Sequence, residues 1–260
     1  MALKLTILGS GSGGNCAYVE TAEARLLVDA GFSPRQIRQR LAGIGRTPEN
    51  LTAILVTHEH SDHVQGLTGI AAKLNIPIYC NRATKEAFEF QLQTRFDCKL
   101  FETGAGFEIA DVQADTFTIP HDAQDPVGFL LHTPGGNIAF VTDLGHMTKL
   151  VVERTRAANV LVLESNHDVK MLQECPHRSW PLKQRILGRH GHLSNEAAAE
   201  AVAQIMSANL RHLYLAHLSR ECNRPELAHY VMAEQLHHIG ASHVKLQLAA
   251  QDVPCATLEL

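Results

Sequence analysis

Thr57-His58-Glu59-His60-Ser61-Asp62-His63 follows directly on the apolar run Ile54-Leu55-Val56. A short apolar run of this kind reads as a buried strand over residues 51–56, and the polar residues beyond it as the loop at its end. On extended backbone, side-chain direction has a period of two, so His58 and His60 point to the same side. The chain is then expected to turn into a helix over residues 62–74, which brings Asp62 and His63 in from another direction. Three imidazoles and a carboxylate converge on one point, a donor set that borderline-soft metals accept. Four such positions filled by chance is an event on the order of a few per thousand sequences, so an ordinary histidine-rich loop is the lesser reading.

Strands and helices alternate outward from this motif. Residues 3–8 read as a strand that breaks into Gly9-Ser10-Gly11-Ser12-Gly13-Gly14-Asn15, and short strands follow over 16–20 and 25–29. Ser33-Pro34 opens a helix with Gln36 closing a capping box, and Ile37, Leu41 and Ile44 form its apolar face. Residues 107–141 alternate like an antiparallel meander, with Pro134-Gly135-Gly136-Asn137 as a hairpin turn. Helices are expected over 146–157, 182–187, 195–207 and 224–238, interleaved with strands over 160–163, 213–216 and 244–248. No repeat or Pro/Ser-rich linker interrupts the chain, so residues 1–260 read as a single domain, a layered α/β sandwich with helices outside two sheets.

Composition narrows the class. The 260 residues are 45% hydrophobic and 19% charged, the balance of a folded globular chain rather than a disordered or fibrous one. No apolar run approaches the roughly 18 residues of a membrane span. Residues 1–14 lack an apolar stretch of secretory length because Gly9 interrupts it, so a cytoplasmic location and no membrane partner are expected. The six cysteines are scattered, which suits free or buried thiols better than a disulfide framework. A net charge of −4 provides no global attraction for nucleic acid, so any such attraction must be local. Sixteen histidines are the anomaly, since imidazole is the commonest metal ligand.

An HxHxDH motif after a hydrophobic strand resembles that of the metallo-β-lactamase fold, an αββα four-layer sandwich with a di-metal cleft at its edge. That family also carries a third His, a bridging Asp and a last His, each just after a strand. This sequence offers His121 in Ile119-Pro120-His121-Asp122, Asp143 in Val141-Thr142-Asp143-Leu144, and His217 in Leu215-Ala216-His217-Leu218. The resemblance implies that His58, His60 and His121 hold one metal, that Asp62, His63 and His217 hold the other, and that Asp143 bridges them. Asp29, in Val28-Asp29-Ala30-Gly31, matches the family's buried acid, which braces the motif loop. The implied cofactors are two divalent ions, Zn²⁺ or Mn²⁺ with Fe²⁺ as a further option. The implied chemistry is hydrolysis by hydroxide formed between them, with Asp62 also orienting the water.

Details select among branches of the fold. Flavodiiron-type members replace the second motif His with Glu, and here that residue is His60. Secreted β-lactamases carry Cys or His where this chain has Asp143. Only 73 residues separate Asp143 from His217, too few for a β-CASP insertion. The Gly9–Asn15 loop, His121-Asp122-Ala123, Glu164-Ser165-Asn166-His167-Asp168, Gly191-His192-Leu193-Ser194-Asn195 and Leu215-Ala216-His217-Leu218-Ser219 resemble the bacterial WalJ/YycJ-type proteins. That branch implies a 5′-to-3′ DNA exonuclease linked to DNA repair.

A nucleic-acid substrate finds partial support in the residues themselves. Residues 175–195 contain no Asp or Glu, while Arg178, Lys183, Arg185 and Arg189 supply cations around Trp180. Such a stretch can contact phosphates and stack on a base, with Arg185 and Arg189 as candidate contacts; a solvated helix face with Trp180 as a packing anchor is an equal reading. His192, Ser194 and Asn195 stand at an expected helix start that would suit a terminal phosphate. That role rests mainly on the resemblance, since Ser194 or Asn195 as an N-cap alone would need no function. Ser12 and Asn15 in the glycine-rich loop are further substrate candidates, although a tight turn shaping the cleft is the stronger reading of that loop. Glu164-Ser165-Asn166-His167-Asp168 is expected near the cleft rim, where bracing of the ligands and simple mutual hydrogen bonding are equal readings. Asn166 is a candidate substrate contact, and His167 and His192 are the candidate proton carriers for the leaving oxygen. DNA is favoured over RNA. An RNA-processing nuclease, a small-molecule thioesterase or lactonase, and a non-catalytic metal-binding module are the alternatives.

Overall fold

Strands β1 (Lys4–Gly9), β2 (Cys16–Glu20) and β3 (Arg25–Val28) form an antiparallel meander in the computed structural model, which describes residues 3–260. Met1 and Ala2, part of the segment read for a secretory signal, lie outside the described residues. Helix α1 (Pro34–Gly43) begins as its sequence requires: the Ser33 hydroxyl accepts from the Gln36 N–H, and the Gln36 side chain accepts from the Ser33 N–H. Strand β4 (Ala53–Leu55) then adds in parallel to β3.

The helix expected over residues 62–74 is present but broken. Helix α2 (Ser61–Val64) is followed by a turn and a wide π-type segment, Thr68–Ala72. The Gly66 N–H donates to the Ala30 carbonyl at 2.7 Å, and a Cβ on Gly66 would lie 2.5 Å from the Phe32 carbonyl oxygen. This close approach pins α2 to the end of β3 at the expense of a regular turn. Strand β5 (Ile78–Cys80), helix α3 (Arg82–Leu92) and strand β6 (Cys98–Leu100) follow, where the sequence reading assigned no elements.

Strands β7 (Gly106–Ile109), β8 (Val112–Thr118), β9 (Val127–Thr133) and β10 (Gly136–Val141) make the expected meander, turning at Pro134-Gly135. Helix α4 (Lys149–Thr155) leads to β11 (Val160–Glu164), which pairs in parallel with β10. Helices α5 (Val169–Glu174), α6 (Trp180–Ile186) and α7 (Asn195–Ile205) precede β12 (His212–Ala216). Helix α8 (Pro225–His238) leads to β13 (Lys245–Leu248), and β14 (Leu258–Glu259) returns to pair with β1.

Two seven-stranded sheets result, ordered β14-β1-β2-β3-β4-β5-β6 and β13-β12-β11-β10-β9-β8-β7. Their packing follows from alternation along each strand. Leu26 and Val28 of β3 face Phe129, Leu131 and Val162 of the other sheet, whereas Leu27 faces outward onto Ile37 and Leu41 of α1. Leu161, Leu163, Leu213 and Leu215 likewise pack outward on Val151, Ala198, Val202 and Met232 of α4, α7 and α8. The layers are therefore αββα. The sheet ladders set Val141 beside Leu163 and Glu164 beside Ala216, so β10, β11 and β12 end level with one another. Among the described residues, no helix is long and apolar enough to cross a membrane.

Candidate active site

Beyond Leu55 the chain leaves the sheet, bends at Thr57 and coils into α2 after His60, delivering its ligand-type side chains to the level ends of β10–β12. His58 is fully buried, and its ring lies 4.7 Å from that of His60 in an edge-on arrangement. The His121 ring, from the loop after β8, lies 5.0 Å from both. The ligand atoms of His58, His60 and His121 lie within 4.8 Å of one another, and so do those of Asp62, His63 and His217. Asp143 lies between the two sets: its Oδ2 is 3.2 Å from His63 Nε2 and its Oδ1 is 3.9 Å from His121 Nε2. All seven side chains that the sequence singled out as ligand candidates thus gather in one cluster.

Each imidazole is oriented from behind. Asp29 accepts from His63 Nδ1 at 2.8 Å and from the Thr57 N–H at 2.9 Å, so it braces the motif loop and turns His63 Nε2 toward the cluster. Burial disfavours a charge on His63, but Asp29, Asp143 and Asp62 outweigh it and raise its pKa well above the ordinary value. His58 has the opposite balance: burial and its imidazole neighbours hold it well below that value, hence neutral. Burial also works against ionised Asp143, yet His217 and His63 hold its carboxyl well below the usual range. His121 Nδ1 donates to the Gly191 carbonyl at 3.2 Å, and Glu59 accepts from the Gln124 N–H at 2.8 Å, tying the motif loop to the His121 loop.

Glu164 takes the bracing role that the sequence offered to residues 164–168 as one of two equal readings. It is fully buried at the end of β11, and its Oε1 accepts from His192 Nδ1 at 2.8 Å and from His217 Nδ1 at 2.9 Å. Its Oε2 accepts the N–H groups of Leu144 and Leu193 at 3.0 and 2.9 Å. Burial opposes its charge, but the His192 and His217 contacts lower its pKa to about 2, so it is an anion held by four donors. The available signal was a lone carboxylate closing an otherwise apolar strand.

The cluster opens into a cleft of about 200 Å³ whose walls include Ser12, Asp122, Asn166, Arg185, His192 and Ser219. A larger hollow of about 720 Å³, between α1 and residues 252–257, contains none of the clustered side chains. Four of the expected substrate contacts are thus on the wall: Ser12, Asn166, Arg185 and His192.

The others are not. Asn15 is buried: its Oδ1 accepts from Ser10 Oγ at 2.8 Å and from the Gly11 N–H at 2.9 Å, and its backbone N–H donates to the Asp62 carbonyl at 2.7 Å. Ser10 Oγ in turn accepts the His217 N–H at 2.8 Å, so the glycine-rich loop braces Asp62 and His217. Asn195 is buried against Ser165 and Asn223, and Ser194 caps α7 by accepting the Ala197 N–H. Arg189 lies outside the wall, beside His146. His167 is 1% exposed and off the cleft wall, and neither ring nitrogen has a hydrogen-bond partner among the described residues. Burial lowers its pKa to about 4, so it is neutral near pH 7 and does not fit the role of proton donor. Trp180 is 62% exposed.

Two seven-stranded sheets between helices, with this His/Asp cluster at the strand ends, define a metallo-β-lactamase-fold hydrolase. The chain belongs to the family described as the β-lactamase superfamily domain, whose model matches residues 24–218. It is 39% identical over 240 residues to exodeoxyribonuclease WalJ of Streptococcus pneumoniae strain D39, covering 91% of this chain and 89% of the relative. It is 38% identical over 242 residues to exodeoxyribonuclease YycJ of Bacillus anthracis, covering 92% and 91%. Among solved structures, the metallo-β-lactamase-fold protein YhfI of Bacillus subtilis superposes with a TM-score of 0.73 at 16% identity, over 98% of this chain and 99% of that one.

Proposed function

We propose that this hydrolase is a two-metal phosphodiesterase that degrades DNA from the 5′ end, in the cytoplasm and in the service of DNA repair. The observation that carries the reading is similarity over nine-tenths of the chain to two exodeoxyribonucleases, at 39% and 38% identity. Six free thiols fit a reducing compartment.

The residues fit a pair of divalent cations. Among the described residues, His58 Nε2 and Asp143 Oδ2 are buried without a hydrogen-bond partner, Asp143 Oδ2 having only the charged-pair approach of His63 Nε2 at 3.2 Å, and both belong to the ligand cluster. Such orphaned atoms are costly unless a cation or proton meets them. His58, His60 and His121 would hold one ion, Asp62, His63 and His217 the other, with Asp143 between them. Nitrogen and carboxylate donors suit Zn²⁺ or Mn²⁺ and also accept Fe²⁺. Two such ions would make hydroxide available near neutral pH and offset charge on the phosphoryl oxygens.

The chain's own residues do the rest. Asp62 faces the cleft and can accept a hydrogen bond from the attacking water. Arg185 offers N–H donors to the phosphate from the wall, while the Asn166 amide, also on the wall, donates to the His217 carbonyl at 2.8 Å and steadies that loop. His192 donates through Nδ1 to Glu164, which leaves Nε2 as the ring nitrogen that hands a proton to the leaving oxygen. Burial disfavours the imidazolium form of His192, and the Glu164 carboxylate more than restores it.

The test uses chelator-stripped protein reloaded with Mn²⁺ or Zn²⁺ and end-labelled DNA and RNA, with and without a 5′-phosphate. Metal-dependent mononucleotide release from 5′-phosphorylated DNA, absent in an Asp62→Ala, His63→Ala control, is the expected result. A reloaded protein that leaves all nucleic acid intact overturns the reading in favour of a small ester or thioester substrate.

A further inference from the structure

Helix α6 runs beside the cleft and is pinned at both ends. Arg178, just before the helix, pairs with Glu221 at 2.7 Å, and Arg185 near its end pairs with Asp122. Glu221 lies in the loop after His217, and Asp122 directly follows His121. The two pins therefore tie the helix to the loops that carry one member of each ligand triad. At 1.5 Å per residue, α6 itself spans about 9 Å from Trp180 to Ile186, enough to run the length of a two-metal site.

The wall is seated as well as pinned. Arg178, Leu182, Arg185 and Ile186 line the cleft. Lys183 Nζ donates to the Gln173 carbonyl at 2.7 Å, and Ile186 packs on Leu172, Cys175 and Cys222. The Ile186 carbonyl accepts the His192 N–H at 3.0 Å, so the wall also fixes the proton carrier. The cleft it bounds, about 200 Å³, is smaller than the roughly 300–1,000 Å³ of an ordinary ligand pocket. Each end of the wall is closed by an ion pair, Arg185 with Asp122 and Arg178 with Glu221, which holds the helix in place against the cleft.

We infer that pinned α6 is the element that restricts this site to strand ends, an inference that rests on the nuclease reading. A strand end needs only one entrance to reach the cluster. An unbroken strand must enter and leave, passing both ion pairs along a cleft that α6 walls. The specificity residues are Arg178 with Glu221 and Arg185 with Asp122.

The experiment compares linear and circular single-stranded DNA of one sequence, using the full chain reloaded with metal. Bis(p-nitrophenyl) phosphate reports the metal centre independently, and thermal melting reports folding. The wild-type protein is expected to consume the linear strand and spare the circle. In Arg178→Ala and in Glu221→Ala, the rate on the circle relative to the linear strand rises by about fivefold, the value of one partly exposed ion pair. The exchanged pair, Arg178→Glu with Glu221→Arg, restores the wild-type ratio. An unchanged ratio in both single variants, with the small diester still hydrolysed and the wild type sparing the circle, overturns the inference and leaves the exonuclease reading standing. A wild-type protein that cuts circle and linear strand alike overturns both the inference and the 5′-end reading. Hydrolysis of the small diester with neither DNA touched sinks both.

Discussion

Asp29 and Asp143 grip opposite edges of one imidazole. Asp29, from the first sheet, accepts from His63 Nδ1 at 2.8 Å, and Asp143, from the second, lies 3.2 Å from His63 Nε2. Both take the same left-handed backbone conformation, with φ of 61° and 60°, and His217 takes it too at 55°. A non-glycine residue held there costs on the order of 1–3 kcal/mol, and Asp is among the residues that bear it best. The strain sits where the strands end and the cluster begins.

Replacement of Asp29 separates its charge from its backbone role. Asp29→Asn keeps a residue that tolerates positive φ but removes the anion behind His63. Metal affinity is expected to fall by about 10- to 100-fold, read by competition with a chromogenic chelator. Asp29→Ala should in addition lower unfolding free energy by about 1–3 kcal/mol, because the Thr57 N–H loses its acceptor. Unchanged affinity in Asp29→Asn would remove Asp29 from the bracing role.

His192 and Glu164 are distinguished by counting ions. His192→Ala is expected to lower kcat by about 10²- to 10⁴-fold while native mass spectrometry still finds two metals, as befits a proton carrier outside the ligand set. Glu164→Gln should lower kcat and also weaken metal binding, since Glu164 orients both His192 and His217. Loss of an ion in His192→Ala would make His192 a ligand instead.

His167 makes stability depend on pH. Its pKa falls from 6.5 in the unfolded chain to about 4 in the fold because it is buried. Above pH 6.5 it is neutral in both states; as the pH drops toward 4, the unfolded chain takes up the proton first and stability is lost. The loss between pH 7 and pH 5 is about 2 kcal/mol. In His167→Leu, the difference in Tm between these two pH values should shrink relative to wild type. An equal difference in both proteins would show that His167 is accessible to protons in the fold.

Gly31→Ala is expected to damage the site without touching a ligand-type side chain. A Cβ there would lie 1.6 Å from the Asp62 carbonyl oxygen, closer than the backbone can accommodate without moving α2. Destabilisation of about 1–3 kcal/mol and loss of metal, seen by melting and by metal analysis, are the expected readouts. A variant with wild-type metal content would mean that the loop yields.

Much of this site was legible because its side chains follow apolar runs that the sequence displays plainly. The strand before His58, the meander before Asp143 and the run before His217 each place the next polar residue at a sheet edge. Glu164 was less visible because its partners, His192 and His217, lie 28 and 53 residues away. Side-chain alternation explains His167: Glu164 and Asn166 turn to the site, and the next residue turns away. Asn15 and Asn195 offered donors suited to a phosphate, but the fold had already engaged them, Asn15 with Gly11 and His63 and Asn195 with Asn223. Strands β5 and β6 escaped notice because three residues each are too few to display a period.

The level ends of β10, β11 and β12 determine where this chain can change length. Val141, Leu163 and Leu215 lie side by side across the ladders, and Asp143, Glu164 and His217 are counted off from them. One residue added inside β11 would put Leu163 where Glu164 stands and turn the carboxylate to the opposite face. The same addition at Pro134-Gly135, in the hairpin between β9 and β10, shifts nothing that the site measures from. The molecule can be lengthened between its strands but not within them, so variation among its descendants belongs in the loops.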